Sequence, residues 1–189
     1  MAADEMQALL QEAAPGLSIT SPFLLTTLPG FGPTLGHLAG IMTYARVTTL
    51  RDVRGLSTEQ LDHRLDDQSN SIGMLLEHMA CIEEAYQEMT LGLAFEEAAL
   101  ERRKIGTDLG PAAWEAIRGH DLAHYRGRLA DVRRRTLAEL ARRDDDWLFE
   151  EVPFVLGQRA NNYFMWFHVA EDELNHRGQI RLLRKRLPG

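Results

Sequence analysis

The chain is short of several things, and each shortage excludes something. It has a single cysteine, Cys81, in 189 residues, so no internal disulfide framework can form. It has no apolar run approaching the roughly 20 residues that a membrane span needs. It has no basic excess: 28 acidic residues stand against 21 basic ones, for a net charge of −7, which argues against a nucleic-acid-binding surface. The opening stretch, Met1–Ala14, carries Asp4, Glu5 and Glu12 where a signal peptide would need a basic and then an apolar run. A soluble, cytoplasmic protein with neither membrane nor nucleic acid as a partner is the expectation. No internal repeat, low-complexity tract or clear strand pattern is present.

What the chain has is helical periodicity, and 44% hydrophobic residues, enough for one core at this length. Residues 1–32 read as a short helix, Ala3–Ala14, then a Pro- and Gly-containing arm packed through Phe23, Leu24, Leu25 and Phe31. Residues 33–189 read as the main domain. Pro33 suits a first helical turn, and Leu35, Leu38, Met42, Ala45, Thr49 and Val53 recur at three- and four-residue spacing over Pro33–Arg54. Ser57 followed by Gln60 has the capping-box pattern. A second long helix is expected over Ser71–Leu91, a third over Asp121–Arg143 and a fourth over Phe164–Arg186, with a short helix at Glu96–Arg103. Residues 144–160 break the period and suggest an extended surface piece. Four amphipathic helices with little strand imply an all-α four-helix bundle. The connection 92–120 is long enough to cross the bundle, which permits up-down-down-up order. The basic run Arg133–Arg135 reads as a solvated helix face.

The last helix carries the candidate chemistry. His168, Asp172 and His176 lie four residues apart and so share one face. His78, on the second helix, stands at a compatible level if the two helices are antiparallel. Two imidazoles and a carboxylate form a three-ligand set with open positions that suits zinc, nickel or ferrous iron. The competing reading is a surface salt link for Asp172 and a core hydrogen bond for His176. Cys81, three residues past His78, reads as a small buried residue. His37, His63, His120 and His124 have no ligand partner at useful spacing. Trp166 and Phe167 read as core, and Trp114 and Trp147 as covers for the bundle ends.

NSIGMLLEHMACIEEAY together with HVAEDELNHRGQIRLLR resembles the DinB/YfiT-like superfamily of metal-dependent four-helix-bundle proteins, whose relatives include mycothiol-dependent maleylpyruvate isomerase. YARVTTLRDVRGLSTEQLDHRL resembles the family's first helix and following turn, so the likeness spans about Gly36–Arg186. It implies a DinB-like up-down-down-up bundle, usually a homodimer, holding a divalent metal. Carried over position by position, the ligands are His78 and His176, with Asp172 where the family usually has a histidine. That departure keeps open Glu171 or His168 as substitutes, and also a metal-free stress-response or interaction module with a degenerate site. The resemblance further implies a thiol-dependent transferase or isomerase, or a hydrolase. Its partner would be a low-molecular-weight thiol or a small electrophile, with Glu171 or Glu173 taking a proton and Arg177 and Gln179 orienting neighbouring groups.

Overall fold

The computed structural model describes residues 3–188. Among them are eight α-helices and one two-stranded hairpin: α1 Ala3–Ala13, α2 Pro33–Asp52, α3 Thr58–Asp62, α4 Ile72–Leu91, α5 Glu97–Asp108, α6 Pro111–Ala116, α7 Leu122–Leu140, β1 Glu151–Pro153, β2 Arg159–Asn161 and α8 Asn162–Arg184. No helix among them is long and apolar enough to cross a membrane.

Local sequence accounts for most helix ends. The Ser71, Asp121 and Asn161 side chains accept the backbone N–H groups of Met74, His124 and Phe164, filling donors that a helix start leaves open. The Ser57–Gln60 capping box is complete. Gly92 closes α4 with φ of 69°, a left-handed conformation that glycine adopts without steric cost. The start of α2 is capped from far away. Asp145 accepts the N–H groups of Thr34 and Leu35 at 2.8 and 2.9 Å, and it packs where a Cβ on Gly32 would stand.

Helices α2, α4, α7 and α8 form the bundle, and their paired residues give its topology. Along α2 and α8 the pairs are Arg46–Glu173, Thr48–Arg177 and Asp52–Arg181, so these helices run parallel. Along α4 and α7 the pairs are Glu77–Arg128, Glu83–Arg133 and Glu84–Arg135, again parallel. Between α4 and α8 the order reverses, with His78 beside His176 and Thr90 beside Trp166. This is the up-down-down-up, DinB-like bundle that the helix spacing allows. The long connection holds two helices, α5 and α6, where a single short one was expected. Helix α5 lies along α4.

The core has an unusual centre. Arg46, Glu83, Arg133 and Glu173, one residue from each bundle helix, are all 2% exposed or less. Arg46 Nε donates to Glu173 Oε1 at 2.9 Å and its Nη2 to Glu83 Oε2 at 3.0 Å. Arg133 Nε donates to Glu83 Oε1 at 2.7 Å, and its Nη2 reaches Glu173 Oε2 at 3.4 Å. The remaining donors go to the carbonyls of Leu129 and Met42, and Thr136 donates to Glu83 at 2.6 Å. Every long arm therefore has a partner, the condition under which buried charge is tolerated. This corrects the reading of Arg133–Arg135 as a solvated face: Arg133 points inward and is fully buried. One charged side chain in a helical run can face the core while its neighbours face water, because adjacent residues point about 100° apart.

Two further expectations are corrected. The arm does not seat Phe23, Leu24 and Leu25, which are about half exposed or more, while Ile19 and Leu28 are buried. The arm still touches α2: a Cβ on Gly36 would lie 2.9 Å from the Leu28 nitrogen, Leu25 packs against Gly40, Phe23 meets Tyr44 edge-on, and Phe31 packs on the core. Phe167 is 43% exposed beside fully buried Trp166. Helix α1 contributes Leu9, Leu10, Ala13 and Ala14 to the core.

Candidate metal centre

Antiparallel packing of α4 on α8 brings His78, Asp172 and His176 together. His78 Nε2 lies 3.8 Å and His176 Nε2 3.3 Å from Asp172 Oδ1. The two imidazole rings are 4.6 Å apart and nearly perpendicular, at 75°. One ligand atom from each residue lies within 4.8 Å of the others. Donors each about 2.1 Å from a shared ion sit at most about 4.2 Å apart, so closing on a cation asks these atoms to draw together by a few tenths of an ångström.

The other nitrogen of each ring is already engaged. His78 Nδ1 lies 2.8 Å from the Gly106 carbonyl oxygen. A carbonyl only accepts, so Nδ1 is the donor there, and Nε2 is the ring atom turned toward Asp172. His176 Nδ1 lies 3.2 Å from Gln179 Oε1, so it too donates through Nδ1 and turns Nε2 toward Asp172. This is how metal-binding histidines are usually oriented, with the far N–H tied to an oxygen. Gln179 was anticipated as an orienting residue. Gly106 was not, since nothing in the sequence marks a backbone carbonyl on a separate helix as a partner of His78.

Electrostatics bind the three groups further. Burial alone would raise the Asp172 carboxyl, but the neighbouring His176 and His78 outweigh it and hold Asp172 well below the usual carboxylate range. Burial likewise opposes charge on His176, and Asp172 overcomes it, so that imidazole is raised above its ordinary value. Burial, and then the negative charges of Asp172 and Glu171, push the Tyr86 phenol up to about 12.

The alternatives named from sequence fall elsewhere. His168 stands one turn back, with its ring on Tyr86 at 5.9 Å. Glu173 is consumed by Arg46 and Arg133 in the core and cannot take a proton at this centre. Glu171 is exposed. Cys81 is buried, and burial, assisted by Glu77, pushes its thiol up to about 12, so it is no nucleophile at neutral pH. His120 and His124 stack on each other on an exposed helix start, with ring centroids 3.9 Å apart.

Gly106 makes a sharp test of how His78 is held. A Cβ there would meet Cys81 Sγ at 2.5 Å and its Cβ at 3.2 Å in a buried contact, so Gly106→Ala is expected to displace Cys81 or ease α5 off α4 and so disturb the carbonyl that holds His78. The expected loss is about 1–3 kcal/mol of stability, as for other overpacked sites, with weaker metal uptake in titrations. Gly127→Ala, in the interior of α7 with nothing within 4 Å of the added Cβ, should leave metal uptake unchanged and raise stability by about 0.5–1 kcal/mol.

Comparison with known proteins bears on the fold and on the family. A DinB-like protein from Bacillus cereus, known from a crystal structure, matches with a TM-score of 0.53 and 18% identity, over 81% of this chain and 95% of that one. At that identity the likeness shows the fold. No curated protein matches. The profile of the family described as Mycothiol-S-transferase matches residues 37–189, a span that takes in the bundle from the first turn of α2 onward and every residue of the triad. The chain therefore belongs to the Mycothiol-S-transferase family.

Proposed function

We propose that this protein is a divalent-metal-dependent transferase that joins a low-molecular-weight thiol, mycothiol by its family, to a small electrophile. The observation that carries the reading is the paired orientation of His78 and His176. Both present Nε2 to Asp172 while both Nδ1 atoms are tied to oxygen. Such an N, O, N donor set fits zinc, nickel or ferrous iron. When bound, a divalent cation supplies Lewis acidity, which lowers the pKa of a thiol or water into the neutral range.

The chain's own residues do the rest. The Gly106 carbonyl and Gln179 fix the two rings. Asp172 contributes the negative charge that offsets part of the cation's. Tyr86, 6% exposed and stacked on His168, stays protonated. Glu171, the exposed member of the Glu171 and Glu173 pair, is the carboxylate we assign to take the proton of the incoming thiol.

A second reading has one observation in its favour. The raised His176 next to Asp172 makes a sufficient ion pair without metal, as in a metal-free interaction or stress-response module. Metal analysis of the purified full chain separates the two. About one zinc, nickel or iron per chain after loading and dialysis, lost in His78→Ala and in His176→Ala but kept in His124→Ala, supports the transferase. No retained metal in the parent protein sinks it. Loaded protein should then consume mycothiol in the presence of a small electrophile.

A further inference from the structure

One end of the bundle gathers positive charge in a protein whose net charge is −7. Helices α2 and α8 run parallel and finish side by side. An open groove of about 490 Å³ at their last turns is lined by Arg51, Asp52, Arg181, Arg184 and Lys185. That volume falls within the roughly 300–1,000 Å³ of small-molecule sites. The triad lies elsewhere, since His176 precedes Arg184 by eight residues, about 12 Å along the helix axis.

Part of this charge has a local use. Basic side chains near a helix C-terminus offset the negative end of its dipole, about half a charge per helix. Asp52 takes a further share. Its two carboxylate oxygens face Arg51 and Arg181, and its backbone carbonyl accepts from Arg184. Arg54, just past α2, is paired with Glu5 and adds nothing. Four cations less one carboxylate leave +3 in the groove, and the two helix ends reduce that to about +2. Among the described residues no carboxylate meets Arg184 or Lys185, so the protein does not neutralise this excess itself.

Asp52 also sets geometry. Its side chain is 15% exposed, and it holds the Arg181 guanidinium while its carbonyl holds that of Arg184. Guanidinium groups fixed in this way present paired N–H donors, which match the oxygens of a phosphate two at a time. We infer that this groove binds the terminal phosphate of a small molecule. A phosphate monoester carries about −1.5 to −2 at pH 7, which matches the excess, whereas a carboxylate or a phosphodiester brings a single charge. Binding needs no metal, so the inference stands or falls apart from the transferase reading.

The test is nuclear magnetic resonance titration of the full chain with inorganic phosphate and, at matched ionic strength, with dimethyl phosphate and with sodium chloride. The reporters are the amides of Asp52, Arg184 and Lys185. Saturable shifts with phosphate are expected, with dimethyl phosphate at least about threefold weaker for its missing charge and no saturation by chloride. Arg184→Gln and Lys185→Gln should each weaken phosphate by about threefold to tenfold, between the worth of an exposed ion pair and that of a charged hydrogen bond. Both positions are exposed, and neither change touches the Asp52 carboxylate, so the fold should persist. Lys104→Gln, an exposed site on α5, and His78→Ala should bind phosphate as the parent does. Flotation with phosphatidylcholine vesicles, with and without phosphatidic acid, identifies the source. No retention on either is expected, and retention on phosphatidic acid that inorganic phosphate competes away would overturn the soluble source and assign the phosphate to a lipid headgroup. No saturable shift below about 50 mM phosphate, where screening is already strong, equal affinity for dimethyl phosphate, or unchanged affinity in both groove variants would overturn the inference and leave these cations to the helix dipoles.

Discussion

Arg133→Met should lower the unfolding free energy by about 3–5 kcal/mol, the usual consequence of leaving a buried counter-charge unpaired. In a chain of this size that corresponds to a fall in Tm of roughly 10–15 °C. The reason is positional. Arg133 holds Glu83 through two nitrogens and touches Glu173, so its loss strands carboxylates from two other helices. Glu83→Gln should behave similarly, and it carries a pH signature. Burial alone would raise the Glu83 carboxyl, but Arg133 and Arg46 outweigh it and hold it down to about 2, from an ordinary 4.5. A depressed pKa contributes stability that is fully present above the unfolded value and is lost as pH falls through the folded one. Glu83 should therefore account for about 3 kcal/mol of acid sensitivity between pH 4.5 and 2, at 1.36 kcal/mol per pKa unit. Urea unfolding across that window should show a shallower acid limb in Glu83→Gln than in the parent. An equal slope would mean that the quartet is not charged as described.

Asp172→Ala is expected to cut metal affinity more than about 100-fold, since it removes a donor outright and changes to mere supporting partners already cost 10–100-fold. Gln179→Leu, which frees the His176 ring without touching a ligand atom, belongs in that smaller 10–100-fold range. Competition titration with a chromophoric chelator reads both. Asp172→His restores the residue type that the resemblance places there and should retain metal. Full affinity in Asp172→Ala would remove the carboxylate from the ligand set and leave the two imidazoles with water. Thiol-transfer activity should fall in step with metal content, because the three residues are proposed to act only by holding the cation.

Which parts of this were visible in the sequence follows from the range of the forces involved. Helix ends are local, decided by a cap three residues away, and Ser71, Asp121 and Asn161 cap as their sequence context implies. Exceptions come from distant partners. The α2 start is capped by Asp145, more than a hundred residues on, and no window of sequence contains that pair. The triad was legible because two of its members share a helix face and His78 stands at a matching level on an antiparallel helix, a set the resemblance also implies. Its supports were only half legible. Gln179 sits three residues from His176, within the reach of a helix face, whereas the Gly106 carbonyl arrives on α5 through a long connection whose path the sequence leaves open.

The buried quartet was misread for the same reason. A run of arginines beside aspartates looks solvated by composition. Whether one of them turns inward depends on whether three other helices bring carboxylates to meet it. What this sequence determined by itself was its set of helices, their apolar faces and the candidate ligands on them, because those depend on neighbours within a turn or two. What only the tertiary structure decided was which charges are buried, which nitrogen of each histidine turns toward Asp172, and where cations gather without a counter-charge. Those depend on the desolvation and pairing of groups far apart in the chain, and such energies exist only once the helices are packed.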